Sequence, residues 1–294
     1  MNIKSNKYFW ACDFDNKSGE GRLARMFINH KKKMTQYNFF KIHAPKKFFL
    51  EYKYISPFIG IIYCWIYYLK RKEVYYINYL PLWNFIIFAL LPPHTKFGPI
   101  TGGANYSIDN INFIRKFIFP FFYKISEFFI NIRGHHIFST DLLKKYLTKK
   151  TIQKSKFNYI FNFVKIKKIN TKKNIDFLIY YRKHHNKKYL IPTKTIQKLI
   201  LHGFDVRIIG DYLNLPKIKN YGYIANNQVK SLLNKTYFTL PSEENIYSIF
   251  ILECIENNVN ILVNKNIYEN LKYFKKSFYK IELNKINEIK RLRK

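Results

Sequence analysis

Cysteine is scarce in this chain of 294 residues, and its few copies lie far apart. Cys12, Cys64 and Cys254 form no Cys-x-x-Cys pair, and their number is odd. Such a set indicates neither a disulfide framework nor a cysteine zinc site, and a reducing cytoplasm suits it best. The first residues are too polar for a signal peptide, which favours the same compartment.

Long hydrophobic runs are lacking too. Residues 55–69 are apolar but shorter than the roughly 20 residues of a membrane span, and Asn78, Pro81 and Asn84 interrupt residues 74–93. We interpret residues 74–93 as a buried strand followed by a core helix, and residues 58–69 as a helix that does not span a membrane. The chain also has no Walker lysine, no His-Glu-x-x-His and no Gly-x-Ser-x-Gly, which argues against the enzyme classes that these motifs mark.

Metal-binding patterns are weak. Asp13 and Asp15 form an Asp-x-Asp triplet of a kind that arises easily by chance. The adjacent histidine pairs at 135–136 and 184–185 would point to opposite faces of a strand, where one metal rarely takes both. We therefore expect no metal site and no bound cofactor.

Acidic side chains are few, 18 against 52 Lys and Arg, which gives a formal charge of +34. Such a field attracts polyanions or an anionic membrane surface. AT-rich coding explains part of the lysine excess, as it does the many Phe, Tyr, Asn and Ile. Basic segments near aromatic residues suit nucleic acid, but no RNA-recognition or helix-turn-helix signature accompanies them, so we expect no specific nucleic-acid partner.

Two series of alternating strand and helix patterns follow one another along the chain. The first includes strands near 7–14 and 74–78, and a helix is expected at 140–146. Lysine-rich residues 149–173 are interpreted as a connection, and the second series begins at Ile175. This order predicts an α/β fold with two Rossmann-like parallel-sheet domains, residues 1–165 and 166–294, facing a central cleft.

Residues 240–253, a strand end followed by a polar turn and a helix, are the clearest candidate site. The unpaired N–H groups at the helix start, near Ser248, form a natural phosphate site. Glu253 lies more than one turn further in, where a carboxylate can accept hydrogen bonds from the two hydroxyls of a ribose. The plainer interpretation is that Ser242, Glu243 and Glu244 only cap the helix and that Glu253 lies on a solvated face.

Two further loops follow predicted strands. Arg182 and Lys187 stand after the first strand of the second domain, where two cations can grip a diphosphate, although lysine-rich chains place basic pairs in many loops. Gly19 and Gly21 lie between a strand and a helix and match a dinucleotide fingerprint loosely, but no acidic strand end follows about 20 residues on. They suit close approach to a phosphate or a sugar, and an NAD-dependent oxidoreductase is a third interpretation.

The chain resembles the retaining glycosyltransferase family 4, which has the GT-B fold. The likeness is firmest from residue 175 to residue 263 and keeps the order of the family's motifs. The matching segments are residues 181–187, 205–211, 221–224, 241–253 and 258–262, with a Gly-Pro-x-x-Gly-Gly-like turn at 98–103 in the first half.

This resemblance implies that residues 1–165 bind the acceptor and that residues 166–294 bind the nucleotide sugar. It also implies roles for individual positions. Arg182 and Lys187 would bind the donor diphosphate, Glu253 would hold the ribose, and backbone amides of the turn would wrap the distal phosphate and the sugar. That turn comprises Asn245, Ile246, Tyr247, Ser248 and Ile249. Asn245 stands where the family has the first Glu of its Glu-x7-Glu pattern, and Glu244 is the nearest carboxylate that would compensate.

The function expected is sugar transfer from a nucleoside-diphosphate sugar to a cell-surface polysaccharide, lipopolysaccharide or lipid-linked acceptor. The resemblance implies retention of the anomeric configuration without a metal. Peripheral contact with an anionic membrane, at its inner face, is expected from the basic charge and the aromatic helices. The alternative from another class is a non-catalytic basic protein that binds nucleic acid or a membrane surface on a degenerate transferase fold.

Overall fold

The chain divides into two compact units, Met1–Phe163 and Val164–Lys294, in the computed structural model. The structure describes residues 6–14, 19–34, 38–42, 52–78, 80–102, 117–134, 136–166, 171–183, 193–242, 246–280 and 286–291. Each unit has its own parallel sheet and its own apolar core.

The first unit is built on a parallel sheet of four strands. In chain order its elements are β1 (Asn6–Ala11), α1 (Gly19–Met34), β2 (Asn38–Ile42), α2 (Tyr52–Leu69), β3 (Glu73–Asn78), α3 (Phe85–Leu90), β4 (Lys96–Phe97), α4 (Phe119–Asn131), β5 (His136–Ile137), α5 (Lys149–Gln153) and β6 (Ser155–Lys156). The strand order is β2-β1-β3-β4, and β5 pairs separately with β6.

The core of this unit lies under α2 and α3. Trp10, Tyr76 and Phe88 are fully buried there. Helices cover parallel sheets, so the strands of such sheets are buried and consist mostly of apolar residues. Gly60 lets α2 approach the sheet, since a β-carbon at this position would overlap the indole of Trp10.

The second unit is built on a parallel sheet of six strands. Its elements are β7 (Ile175–Tyr181), α6 (Thr193–Leu201), β8 (Val206–Gly210), β9 (Lys219–Asn220), α7 (Asn226–Asn234), β10 (Thr236–Thr239), α8 (Ile249–Glu256), β11 (Asn260–Val263), α9 (Lys265–Glu269), β12 (Phe278–Lys280) and α10 (Ile286–Arg291). The strand order is β12-β11-β10-β7-β8-β9. Phe177, Ile208 and Phe238 are fully buried in its core.

Two expectations for the middle of the chain are wrong. Residues 140–146 hold no α-helix, only the 3-10 turn Lys144–Tyr146. The segment interpreted as a connection carries structure instead: α5, β6 and a second 3-10 turn, Tyr159–Phe163, belong to the first unit. Thr148 begins α5 because its hydroxyl accepts a hydrogen bond from the Thr151 amide.

The two apolar stretches at 55–69 and 74–93 form α2 in the first case and β3 with α3 in the second. Strand β3 is buried, whereas α2 and α3 each have one buried and one exposed side. In the part of the chain that the structure describes, no helix has both the length and the apolar character needed to cross a membrane.

Candidate functional site

The second sheet reverses its strand order between β7 and β10. Strands β8 and β9 follow on one side of β7, whereas β10, β11 and β12 follow on the other. In open parallel sheets a ligand crevice forms outside the carboxyl ends of the strands at such a reversal. The segments that leave this edge are the residues after Tyr181, the last of β7, and the residues after Thr239, the last of β10.

An aromatic contact brings the start of α8 to this edge. The ring of Tyr180, at the end of β7, lies 5.8 Å from the ring of Phe250, the second residue of α8. The carboxyl end of the first strand and the first turn of α8 are therefore neighbours, as a phosphate site at the reversal requires.

The first turn of α8 has free donors. Ser248 is its N-cap, with φ −61° and ψ 158°, and the Ser248 hydroxyl accepts a hydrogen bond from the Ile251 amide at 3.3 Å. The N–H groups of Ile249 and Phe250 have no acceptor within the helix. These two amide donors and the positive end of the helix dipole suit an anionic oxygen.

Arg182 is exposed immediately after β7. Among the described residues, no carboxylate forms an ion pair with its guanidinium. The backbone on either side of it is held in place: the Asp211 amide donates to the Tyr181 carbonyl at 2.9 Å, and the Lys183 amide donates to Asp211 Oδ2 at 2.6 Å. Arg182 therefore presents an exposed positive charge from a positioned backbone.

Tyr223 completes this network. Its hydroxyl donates to Asp211 Oδ1 at 2.8 Å. Burial raises the pKa of Tyr223 to about 12; the hydrogen bond to Asp211 acts in the same direction, and the charge of Arg182 acts against it. Sequence reasoning assigned no role to Asp211 or Tyr223. The sequence offered two signals: Asp211 comes directly after a predicted strand, and Tyr223 comes directly after a glycine.

Gly210 permits the tight turn from β8 into Asp211. Its φ is +100°, and a β-carbon there would overlap the carbonyl oxygen of Tyr181. Only glycine accommodates both the left-handed backbone and the close approach of β7. The position of Asp211, and through it that of Arg182, depends on this contact.

Other predicted site residues differ in their access to solvent. Ser242 and Ile246 are half-buried, whereas Tyr247 and Glu253 are each only 7% exposed. The Tyr247 hydroxyl donates to the Tyr273 carbonyl at 3.1 Å, so this side chain anchors the turn. A ribose would reach Glu253 only through its small exposed surface. The predictions for Lys187, Glu244 and Asn245 lie outside the described residues.

The predicted glycines of the first unit lie at a second strand-order reversal. Strand β1 sits between β2 and β3, and α1 follows β1. Gly19 and Gly21 occupy the first turn of α1, not a loop before it. Asn78 at the end of β3 fixes this turn, since its side-chain amide donates to the Glu20 carbonyl at 2.7 Å. The open space beside Gly19 leaves this helix start accessible.

No family model matches the chain, and no curated protein matches it in sequence. Solved structures do match. UDP-GlcNAc 2-epimerase of Methanocaldococcus jannaschii, in complex with UDP-GlcNAc and UDP, is similar over 97% of this chain and 91% of its own, with 11% identity and a TM-score of 0.53. Two other structures have lower TM-scores. Escherichia coli heptosyltransferase WaaC with ADP-2-deoxy-2-fluoro heptose covers 97% of this chain and 98% of its own at 9% identity and TM-score 0.37. The calicheamicin glycosyltransferase CalG4 covers 99% and 90% at 11% identity and TM-score 0.39.

The match to the archaeal epimerase shows a shared fold. Together with the parallel sheets of both units it confirms the expected fold class, α/β of the GT-B type. Membership of glycosyltransferase family 4 stays a prediction.

Proposed function

We propose that this chain is a glycosyltransferase that moves a sugar from a nucleoside-diphosphate sugar to a cell-surface glycan, a lipopolysaccharide or a lipid-linked acceptor. The reaction proposed retains the anomeric configuration and uses no metal. The second unit binds the donor, and the first unit binds the acceptor.

One observation carries this proposal. Arg182, which has no ion pair among the described residues, and the N-terminus of α8 flank the same strand-order reversal, and the contact between Tyr180 and Phe250 links these two segments. A guanidinium and backbone amides that converge on one edge suit a diphosphate, since charge-assisted hydrogen bonds to phosphate are strong and directional. A neutral ligand would not require this arrangement.

The chemistry follows from where charge develops. As the bond between the sugar and the diphosphate breaks, negative charge accumulates on the leaving phosphate. Arg182, with Lys187 as its proposed partner, stabilises this charge, and the Ile249 and Phe250 amides bind the phosphate oxygens. Glu253 accepts hydrogen bonds from the ribose hydroxyls. Asn245 contacts the sugar through its amide, which carries no charge, so its hold on the donor is weaker than that of a glutamate.

The archaeal epimerase supports the choice of donor class. The epimerase has the same fold as this chain, and its structure was solved with UDP-GlcNAc and UDP bound. A GT-B fold with a phosphate-compatible edge is consistent with the same class of ligand. A panel of nucleotide sugars is needed to identify the base and the sugar of the donor.

The test is thermal stabilisation of the full chain by UDP, GDP and ADP, followed by a panel of nucleotide sugars. A ligand that binds the native state raises the melting temperature. We expect one nucleotide to do so, and Arg182→Ala to weaken its binding about 10- to 100-fold, as the loss of a charge-assisted hydrogen bond predicts.

Lys183→Ala is the matched control, because Lys183 is exposed next to Arg182 and its backbone amide, which contacts Asp211, is retained. It should bind nearly as tightly as wild type. If no nucleotide raises the melting temperature of wild type and the protein binds RNA in a salt-sensitive way, the non-catalytic alternative would replace the proposal.

A further inference from the structure

The exposed large apolar side chains of the first unit are concentrated on three helices. They are Phe58, Ile62, Trp65, Ile66 and Leu69 on α2, Ile86 and Leu90 on α3, and Phe117, Phe121, Phe128 and Ile132 on or beside α4. Single exposed apolar residues are ordinary on protein surfaces, but contiguous patches mark interaction sites. We call this set the apolar face.

Each helix contributes one stripe. At about 100° per residue, the exposed residues of α4 fall within an arc of about 60°, and those of α2 within about 100°. The opposite sides of both helices are buried in the core of the unit, for example Cys64 on α2 and Tyr123 on α4. The exposed residues thus form stripes, as on amphipathic helices that present a second apolar side to a partner.

Specific contacts join the three helices. The Trp65 indole donates to the Leu90 carbonyl at 2.8 Å, which ties α2 to the end of α3. The Arg133 guanidinium donates to the Leu91 carbonyl at 2.5 Å, and the rings of Phe85 and Phe122 lie 5.2 Å apart, so α3 and α4 meet at both ends. The stripes therefore adjoin each other on one fixed scaffold.

Among the described residues around the apolar face, basic side chains outnumber acidic ones. Two acidic residues, Glu73 and Glu127, occur in the described segments that form and join these helices, which are residues 52–78, 80–102 and 117–134. Both are in ion pairs with lysines. Lys70, Arg71 and Lys72 are exposed at the end of α2. Lysines and arginines beside an apolar helix face attract anionic headgroups while the apolar side chains enter the interface.

From this geometry we infer that the apolar face docks on an anionic lipid bilayer. Aromatic and aliphatic side chains of α2, α3 and α4 insert at the level of the headgroups, and the basic end of α2 binds the lipid phosphates. This inference concerns a surface of the first unit and does not depend on nucleotide binding by the second.

The test is flotation of the full chain with vesicles of phosphatidylcholine, either alone or with about 30 mol% phosphatidylglycerol. On such an anionic surface each nearby basic residue is expected to contribute ~1 kcal/mol to binding. We expect binding to the anionic vesicles and its weakening by salt, because screening acts on the basic residues. Phe121→Ser with Phe128→Ser should weaken binding about tenfold or more, since two inserting side chains are lost. Both residues are about two-thirds exposed in the free protein, so folding should be retained.

The matched control is Leu201→Ser with Ile166→Ser, two comparably exposed apolar residues of the second unit. This variant should bind vesicles like wild type. A charge control compares two double variants. The variant Lys70→Ser, Lys72→Ser at the end of α2 should lose affinity for anionic vesicles, whereas the variant Lys194→Ser, Lys198→Ser in the second unit should not.

Three results would overturn the inference. One is vesicle binding that the Phe121 and Phe128 substitutions do not weaken. Another is a dimer in solution that these substitutions dissociate, which would assign the face to a second copy of the chain. The third is binding to RNA but not to vesicles. Because nucleotide-induced stabilisation is measured separately, failure here leaves the proposed transferase site standing.

Discussion

The Tyr223 hydroxyl donates a 2.8 Å hydrogen bond to Asp211, and the same carboxylate accepts the Lys183 amide at 2.6 Å. One side chain at the end of β8 thereby fixes the backbone that follows β7. The contact bears on the proposed function because Arg182, the proposed diphosphate ligand, lies directly before Lys183. The position of this charge thus depends on two neighbouring strands.

Removal of this carboxylate should loosen the loop that carries Arg182. We expect Asp211→Ala to weaken binding of the preferred nucleoside diphosphate roughly tenfold, comparable to one lost charged hydrogen bond of about 1.5 kcal/mol. Tyr223→Phe keeps the Lys183 contact and should have a smaller effect. Calorimetric titration of each variant measures this, with Tyr212→Phe, an exposed neighbour, as control. Wild-type affinity in Asp211→Ala would show that the loop is held by other contacts.

Gly210→Ala should destabilise the second unit more than an ordinary glycine substitution. Gly210 and Gly203 both have positive φ, +100° and +79°, but only at Gly210 would a β-carbon overlap another backbone. Strain alone costs about 1–2 kcal/mol, and the overlap adds about 1–3 kcal/mol. Urea unfolding followed by far-UV circular dichroism compares the two alanine variants. Equal midpoints would mean that β7 shifts freely to admit the methyl group.

Local sequence signals predicted the elements that strong local preferences determine. The largely apolar run Ile175–Tyr181 is β7, the strand that opens the second series, and α8 begins next to Ser248, where a helix start was expected. In contrast, the sequence Tyr-Gly-Tyr-Ile at 221–224 predicts a short strand, and this prediction is wrong, since β9 is Lys219–Asn220. Gly222 has φ +68°, which ends the strand, and no local sequence rule fixes that angle.

The candidate site was predicted in part for the same reason. Arg182 and the start of α8 follow strands, so their shared edge could be inferred from a parallel sheet. The contact between Asp211 and Tyr223 joins residues 12 positions apart through the turn at Gly222. The burial of Glu253 likewise depends on how α8 packs, which a single helix pattern does not reveal.

The stability of the first unit should fall in acid through Glu127. Burial alone would raise the pKa of this carboxyl, but hydrogen bonds from Thr148 and Thr151 and the charge of Lys124 outweigh it and hold the pKa below its usual value. A depressed folded-state pKa gives stability that is present above the unfolded pKa, about 4.5, and is lost as the pH falls through the folded value.

Glu127→Gln should therefore be less stable than wild type at pH 6 and should lose less stability on acidification. The three tryptophans, Trp10, Trp65 and Trp83, all lie in the first unit, so their fluorescence follows its unfolding. Glu269→Gln, an exposed carboxylate 3.8 Å from Lys265 in the second unit, is the control and should leave the fluorescence transition unchanged. Parallel pH profiles for wild type and Glu127→Gln would contradict this account.

Gly60→Ala should destabilise the first unit although alanine favours helices. The added methyl group would overlap the fully buried indole of Trp10, so α2 must move away from the sheet or the indole must leave its position. We expect a loss of about 1–3 kcal/mol, as for overpacked cores, against a helix-propensity gain of about 0.5–1 kcal/mol. Gly19→Ala in α1 has open space and should change stability by no more than about 1 kcal/mol. Urea unfolding by tryptophan fluorescence compares the two, and a Gly60→Ala midpoint at or above that of Gly19→Ala would show that α2 does not rest on Trp10.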